Sequence, residues 1–240
     1  MGLKKHIPNT ITSMNLLSGA MGVICAFHGE MGLAFGLMLL AAVFDFCDGL
    51  AARLLHAYSP IGKELDSLAD MVSFGLLPSL MLTCTLEAHG ASTLICSIPL
   101  FLAVMSALRL AKFNVDERQS HDFIGLPTPS AAMVCGALSY WIWSCTDCTT
   151  LQDMAGSPWF LPLVAVVLGL LLVSEIPMFG MKVAKGHKLL DTKRIVFLCV
   201  ALAALVGTLV LRLNWSLAVL TVFVFYILEN LVLRVFAPRK

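Results

Sequence analysis

Four aspartates and a set of small residues recur at fixed spacing in an otherwise apolar chain. They form two blocks, Asp45-x-x-Asp48-Gly49-x-x-Ala52-Arg53 and Gly62-x-x-x-Asp66-x-x-x-Asp70. The chain of 240 residues is 59% hydrophobic and only 13% charged. Ionisable groups at membrane depth are costly unless a partner offsets their charge. The two blocks therefore predict a site for metal and an anionic ligand at a membrane surface.

The spacing of the acids indicates what they could bind. Residues three or four apart share one face of a helix, so Asp45 pairs with Asp48 and Asp66 pairs with Asp70. Clustered carboxylates suppress one another's ionisation unless cations are present. Oxygen ligands suit Mg²⁺ or Mn²⁺, and a pair of such ions can clamp both reacting oxygens of a phosphoryl group. We expect the four aspartates to hold two divalent ions.

The remaining residues of the two blocks suit an anionic ligand. Gly49 and Ala52 leave one helix face bare, and Gly62 does the same where the next helix begins. Arg53 can donate two parallel hydrogen bonds to a phosphate. Either acidic pair alone would more simply be a solvated helix end, and buried acids also serve as proton relays in transporters. The combination of both pairs with small residues at one membrane edge favours a metal–phosphate site.

The elements that position these residues are predicted to be membrane helices. The mean hydropathy is +0.89, and long apolar runs of about 20 residues recur, which is typical of a polytopic all-α membrane protein. We predict about eight transmembrane helices, at residues 14–29, 31–54, 64–86, 92–114, 129–145, 158–178, 193–213 and 215–236.

The distribution of positive charge predicts the orientation. With both termini in the cytoplasm, every Lys and Arg except Arg212 lies on the cytoplasmic side, as the positive-inside rule requires. All four aspartates then lie on the cytoplasmic side as well. Of the eight cysteines, most lie in apolar runs, where a small buried side chain is the simplest interpretation. Cys145 and Cys148 lie in a polar loop and could form a disulfide if that loop faces an oxidising compartment.

The two blocks together match the signature of the CDP-alcohol phosphotransferase family at every position, and the chain therefore resembles that family. The resemblance implies a dimeric helical membrane enzyme that displaces CMP from a CDP-linked alcohol with a second alcohol. It also implies roles for the signature residues, which are metal binding by Asp45, Asp48, Asp66 and Asp70, CDP binding by Asp48, Gly49, Ala52, Arg53 and Gly62, and general-base catalysis by Asp70.

Residues that flank the signature resemble those of one branch of the family, the bacterial and archaeal phosphatidylserine synthases. They are Ser67–Gly75 with Pro78, Arg109–Asn114, and Phe123-x-Gly125-Leu126-Pro127-x-Pro129. This branch uses CDP-diacylglycerol and L-serine at the cytoplasmic membrane, and no nucleic acid is expected as a partner. We treat residues 1–240 as a single membrane domain, with a family-like core at 1–180 and a basic loop with two helices at 181–240.

The acceptor alcohol is predicted from the flanking residues and not from the four aspartates. A serine carboxylate needs a cation, for which Arg109 and Lys112 are candidates, and Ser73 and Asn114 could add polar contacts. The same chemistry with glycerol 3-phosphate or an inositol phosphate stays open, as does a cation- or proton-coupled transporter. Release of CMP would distinguish the enzymes from the transporter.

Overall fold

The chain folds almost entirely into helices in the computed structural model, which describes residues 6–115, 123–145, 147, 149–178 and 192–236. The α-helices in chain order are α1 (His6–Phe27), α2 (Met31–Leu54), α3 (Pro60–Asp70), α4 (Leu77–Ala88), α5 (Thr93–Ser97), α6 (Leu100–Val115), α7 (Thr128–Ser144), α8 (Thr149–Gly156), α9 (Phe160–Val173), α10 (Thr192–Val210) and α11 (Ser216–Phe236). A π-helical segment, Met71–Leu76, joins α3 to α4 without a break. Two short strands, β1 (Phe123–Ile124) and β2 (Pro177–Met178), complete the described elements.

Several helical stretches suit a multi-pass membrane protein. Within the described residues, five are long and apolar enough to cross a membrane: His6–Phe27, Met31–Leu54, Pro60–Ala88, Thr93–Val115 and Ser216–Arg234. A sixth is added if α8 and α9, which meet at a bend of 69°, form one span. The prediction of an all-α membrane protein is confirmed at this level, whereas the count of eight spans and the orientation stay predictions.

Helix α1 begins at His6, well before the predicted start at residue 14. The proline at position 8 lies in the first turn, where its missing N–H would have no helical partner in any case. Thr12 and Asn15 are buried against neighbouring helices instead of facing water. The helix therefore extends before the apolar run that begins at Met14, and the buried Thr12 lies in this additional part.

Helix α7 lies at the centre of the molecule. It has 17 residues, which is shorter than a typical membrane span, and twelve of them are buried. Burial on most sides is consistent with its apolar and small side chains. One apolar cluster, which includes Leu82, Leu126 and Leu168, packs around α7 and α9. A second cluster, which includes Phe35 and Phe74, fills the space between α7 and the α1–α4 region.

The two strands fasten the start of α7 to the end of α9. Phe123 pairs with Met178 in antiparallel register, and the Gly125 N–H donates to the Ile176 carbonyl at 2.9 Å. Gly125 has a φ of +81°, and a Cβ there would lie 2.9 Å from the Ser174 carbonyl oxygen. The predicted span 158–178 therefore ends earlier, at Val173, because the chain turns into β2. Helix α8, which was not predicted, lies in the preceding loop.

Candidate active site

Three of the predicted metal ligands converge where α2 meets α3. Asp45 and Asp48 lie in the last turns of α2, and Asp66 lies in the middle of α3. One carboxylate oxygen from each falls within 4.8 Å of the others, and Asp48 is buried at 6% exposure. Carboxylates at this separation repel one another strongly unless a cation lies among them. The described residues thus include a group that could hold a divalent metal ion.

The turn between the two helices brings these acids together. His56, just after the end of α2, has a left-handed φ of 49°, and the Ala57 N–H donates back to the Ala52 carbonyl at 2.9 Å. This bond closes the last turn in the manner of a Schellman motif. Ser59 then caps α3, because its hydroxyl accepts from the Gly62 N–H at 3.0 Å. With Pro60 in the first turn, the sequence here carries both a stop signal and a start signal.

Asp70 lies apart from the group of three, at the junction of α3 and the π-helical segment. Its Oδ1 accepts from the Asn15 side chain at 3.3 Å. The carboxylates of Asp45, Asp66 and Asp48 are its charged neighbours. Asn15 itself is fully buried, and its Oδ1 has no hydrogen-bond partner. Asp70 is therefore held at the edge of the acidic group by a helix outside the signature.

Helix α1 supplies a second contact that sequence reasoning did not assign. The Thr12 hydroxyl donates to Asp48 Oδ2 at 2.6 Å. Thr12 and Asn15 are spaced by three residues, as are Asn9 and Thr12, so all three lie along one side of α1. A polar stripe in an otherwise apolar membrane helix is the signal that could have identified them.

A pocket of about 220 Å³ opens beside the acidic group. Its lining consists of Pro8, Asn9, Thr12, Asp48, Gly49, Ala52, Ala57, Tyr58, Ser59, Gly62, Lys63 and Asp66. A Cβ on Gly49 would meet no atom within 4 Å, so this glycine borders open space. A Cβ on Gly62 would lie 2.9 Å from both Asn9 Oδ1 and Ser59 Oγ. The small residues of the signature therefore keep the walls of this pocket bare.

Three other predicted site residues lie away from the pocket lining. The Arg53 side chain is exposed and donates from Nε to the Gly49 carbonyl at 3.0 Å. Ser73 is fully buried and donates to the Asn15 carbonyl at 3.1 Å. The Asn114 amide donates to Ser67 Oγ at 2.9 Å and so ties α6 to α3. The structure does not bring Ser73 or Asn114 to the pocket because each joins two helices.

Arg109 lies on α6 and is not part of the pocket lining. It is 8% exposed, and its Nη1 donates to Thr128 Oγ1 at 2.8 Å. The guanidinium lies 5.9 Å from the centre of the Phe113 ring. Its Nε is buried without a hydrogen-bond partner. Lys112, the other predicted acceptor cation, instead lies 3.9 Å from Glu175.

The π-helical segment packs closely against α1 and α6. At Gly19 a Cβ would lie 2.8 Å from Ser73 Cα, and at Gly75 a Cβ would lie 3.0 Å from Ser106 Cβ. Two glycines therefore allow α1 and α6 to approach the segment closely from opposite sides. Irregular turns of this kind are frequent next to functional sites. Here the segment follows Asp70 directly.

Comparison with known proteins assigns the chain to a family. A model of the CDP-alcohol phosphatidyltransferase family matches residues 5–171. The chain therefore belongs to the CDP-alcohol phosphatidyltransferase family, as the signature predicted. The matched region covers α1 to most of α9 and includes every residue of the acidic group and the pocket.

Several relatives carry names that specify a reaction. A CDP-diacylglycerol–serine O-phosphatidyltransferase of Bacillus subtilis is 35% identical over 135 residues, which cover 56% of this chain and 76% of that protein. One of the same name from Mycobacterium leprae is 33% identical over 183 residues, covering 72% of this chain and 57% of the relative. An archaetidylserine synthase of Methanothermobacter thermautotrophicus is 32% identical over 133 residues, covering 53% and 54%. The chain thus spans little more than half of the mycobacterial and archaeal relatives.

Proposed function

We propose that this protein is a phosphatidylserine synthase that transfers the phosphatidyl group of CDP-diacylglycerol to the hydroxyl of L-serine and releases CMP. The observation that carries the proposal is the convergence of Asp45, Asp48 and Asp66 beside a pocket walled by small signature residues. Family membership favours this chemistry over transport. The names of the relatives differ in the lipid but share serine, which supports serine as the acceptor.

We propose that the four aspartates hold a pair of divalent cations, Mg²⁺ or Mn²⁺; the proposal is supported by the group of Asp45, Asp48 and Asp66, whose carboxylates could hold a metal ion. Asp45, Asp48 and Asp66 would hold one ion between their carboxylates, and Asp70 would join them in holding the second. When bound, such ions neutralise the diphosphate and stabilise charge that develops on its oxygens. Oxygen-only ligation suits these hard ions better than zinc or copper.

The pocket beside the acids would take the CDP moiety. Gly49, Ala52 and Gly62 line it and leave room for the ligand to approach the backbone. Asp48 belongs both to the acidic group and to the pocket lining, so it would contact the metal-bound diphosphate. Arg53 lies one turn from Gly49 and is exposed, so a change of side-chain rotamer would let it reach a phosphate.

Asp70 is proposed as the general base. The serine hydroxyl oxygen would form a bond to the phosphorus attached to diacylglycerol, and the bond from that phosphorus to the CMP oxygen would break. CMP leaves with the bonding electron pair, and the hydroxyl proton passes to Asp70. A neutral hydroxyl is a weak nucleophile, so a positioned base contributes substantially. The Asn15 amide would hold the Asp70 carboxylate in the orientation that this transfer needs.

Arg109 is proposed to bind the serine carboxylate. Both Arg109 and Asp70 are described, and no ion pair within 4.0 Å joins them. Asp70 is nonetheless a charged neighbour of the guanidinium. An acceptor with a carboxylate and a hydroxyl could therefore bridge the two side chains, carboxylate towards Arg109 and hydroxyl towards Asp70. Ser73 and Asn114, also predicted as acceptor contacts, would act indirectly by holding α1 and α6 in place.

The proposal also covers the domain organisation, the oligomeric state and the membrane location of the protein. We infer that residues 1–240 form one membrane domain, with a family-like core at 1–180, and that the protein acts as a homodimer in the cytoplasmic membrane. The active site would face the cytoplasm, where both CDP-linked lipid head groups and serine are accessible.

A direct assay tests the acceptor. Purified protein in CDP-diacylglycerol micelles is given radiolabelled serine, glycerol 3-phosphate or an inositol phosphate, after chelation and return of Mg²⁺ or Mn²⁺. We expect CMP release and labelled lipid with serine only, and only when metal is returned. Transfer to glycerol 3-phosphate or an inositol phosphate in place of serine would reassign the acceptor. Serine transfer that survives chelation would contradict the metal site.

The separate role of Asp70 is tested with two variants. Asp70→Asn is expected to abolish turnover while metal-dependent binding of CDP-diacylglycerol largely persists, because the base is lost but Asp45, Asp48 and Asp66, which would hold the first ion, remain. Asp45→Asn is expected to lose both. Equal loss of binding in the two variants would argue against a distinct base.

A further inference from the structure

The side chain of Asn15 on α1 carries an amide oxygen that no described residue contacts through a hydrogen bond. Asn15 is fully buried, and its Nδ2 donates to Asp70 Oδ1 at 3.3 Å. An ionised carboxylate can only accept, so the amide must turn its nitrogen towards Asp70 and keep its oxygen for another group. That oxygen, Oδ1, has no hydrogen-bond partner among the described residues. A buried acceptor without a partner is costly, and a ligand that donates to it would remove this cost.

The position of this amide is fixed by contacts on both sides along α1. The Asn15 backbone carbonyl accepts from the Ser73 hydroxyl at 3.1 Å, and one turn further along the helix Gly19 lies directly against Ser73. In the other direction, Thr12 lines the pocket and donates to Asp48. Asn15 therefore lies between the pocket and the π-helical segment, and its Oδ1 is held beside the proposed base.

The covalent structure of serine fits this pair of groups. In L-serine the hydroxyl and the ammonium are attached to adjacent carbon atoms. A hydroxyl that lies against Asp70 therefore brings the ammonium close to the amide that is hydrogen-bonded to Asp70, which is that of Asn15. An ammonium only donates hydrogen bonds, and an amide oxygen only accepts them. Glycerol 3-phosphate and the inositol phosphates carry no ammonium and would leave Oδ1 without a partner.

We propose that Asn15 Oδ1 accepts a hydrogen bond from the ammonium of the acceptor, so that α1 selects alcohols with an amino group on the neighbouring carbon atom. This inference rests on the proposed function. It gives the two polar atoms of the Asn15 amide separate tasks, because Nδ2 orients the base and Oδ1 binds the acceptor. It is also independent of the residue that binds the serine carboxylate.

The first experiment uses the wild-type protein and 3-hydroxypropionate, which is serine without the amino group. Its inhibition constant against transfer of radiolabelled serine is compared with the KM for serine. The inhibition constant is expected to exceed this KM at least about tenfold, the order of magnitude of one hydrogen bond to a charged group. Equal values would overturn the inference, and this comparison requires no variant to fold.

The second experiment compares two variants of α1. Asn15→Leu has a similar side-chain volume and removes both polar atoms. It is expected to raise the serine KM about tenfold and to leave the inhibition constant of 3-hydroxypropionate unchanged. The kcat should also fall, because Asp70 loses its donor, but this effect does not enter the comparison of the two constants. Ser18→Ala is the matched control, since it removes another buried hydrogen bond of α1, the one to the Leu37 carbonyl at 2.8 Å, and should leave both constants unchanged.

Several outcomes of the second experiment would overturn the inference. They are an unchanged serine KM in Asn15→Leu, an equal rise in both constants, or a rise of the same size in Ser18→Ala. A higher requirement for Mg²⁺ or Mn²⁺ with an unchanged serine KM would assign Oδ1 to a metal ion instead. Wild-type protein that releases CMP with glycerol 3-phosphate and not with serine would refute the proposed function itself, so the two failures are distinguishable.

Discussion

Two aspartates of the candidate site accept hydrogen bonds from side chains of α1, a helix that lies outside the two signature blocks. Thr12 donates to Asp48, and Asn15 donates to Asp70. Each donor orients one carboxylate and offsets part of the repulsion between neighbouring acids. Residues that orient metal ligands in this way often change metal affinity by one to two orders of magnitude when they are removed. Helix α1 therefore contributes side chains directly to the candidate active site.

The Thr12→Val variant tests this contribution. Valine has the same shape but cannot donate to Asp48, so we expect the concentration of Mg²⁺ or Mn²⁺ needed for half-maximal activity to rise about tenfold. Thr10→Val is the matched control, because the exposed Thr10 hydroxyl bonds only to the His6 carbonyl in its own helix. The same metal dependence in both variants would show that the Asp48 contact has no such role.

The absence of a side chain at Gly49 is expected to matter for ligand binding and not for folding. Gly49→Ala places a methyl group in the open pocket, and it should raise the KM for CDP-diacylglycerol while it increases helix stability by about 1 kcal/mol. Gly36→Ala in the same helix is the control, since a Cβ there also meets nothing within 4 Å but lies outside the pocket. We expect both variants to unfold at higher temperature in detergent and only Gly49→Ala to lose substrate affinity. Normal kinetics in Gly49→Ala would argue against this wall as the CDP site.

Three helices, α1, α2 and α3, build the candidate site, and each contributes differently. Helix α2 and helix α3 present the acids, and α1 holds them from one side. The π-helical segment after Asp70 then shifts the register of the helix. As a result, Ser73 faces α1 and Gly75 faces α6, while Asp66 and Asp70 still point to the acidic group.

The close contact between α1 and the π-helical segment is testable at Gly19. In Gly19→Ala the new methyl group would lie 2.8 Å from the Ser73 Cα, a backbone atom that cannot move without displacing Asp70. We expect lower thermal stability and a reduced kcat. Gly22→Ala is the matched control in the same helix, because its methyl group meets the flexible Leu77 side chain at 2.7 Å. A loss of kcat in Gly22→Ala as large as in Gly19→Ala would show that general packing, and not the position of Asp70, is responsible.

Some of these elements could be predicted from the sequence and others could not. The acidic spacing and the bounds of α2, 31–54, followed directly from helical periodicity and from the turn residues around Glu30 and Ser59. The π-helical segment carries no periodic signal of its own, because its extra residue depends on how α1 and α6 pack. Helix α8 was missed since its polar sequence resembles a loop. The Arg109–Thr128 bond joins two helices across a turn whose geometry depends on the β1–β2 pairing.

Some residues of the predicted polar loop and basic loop lie outside the part of the chain that the structure describes. Cys148 is one, whereas Cys145 is described and has a free thiol, so the structure does not support the predicted disulfide. Lys182, Lys185 and Lys188 of the basic loop are others. The predicted division at residue 180 lies in the same stretch, and it stays a prediction.

At the scale of the whole molecule, the buried helix α7 is surrounded by helices that expose apolar side chains. Leu33 and Val43 on α2 and Leu209 on α10 are examples, each at least half exposed. Such side chains suit contact with lipid. The acidic group and the pocket lie together at one end of α2 and α3, so the orientation of the chain in the membrane decides which compartment supplies the soluble acceptor.

The orientation can be tested with reporters fused to both termini. The positive-inside pattern predicts that both termini are cytoplasmic, which requires an even number of spans. A fluorescent protein that matures only in the cytoplasm should therefore be bright at either end, and alkaline phosphatase, which is active only outside, should be inactive at either end. Truncated fusions that end at Gly90, between α4 and α5, or at Leu213, between α10 and α11, should give the opposite pattern. Reporter signals from opposite sides for the two termini would require an odd number of spans. The four aspartates would still share one membrane face, but the charge pattern would no longer place that face in the cytoplasm.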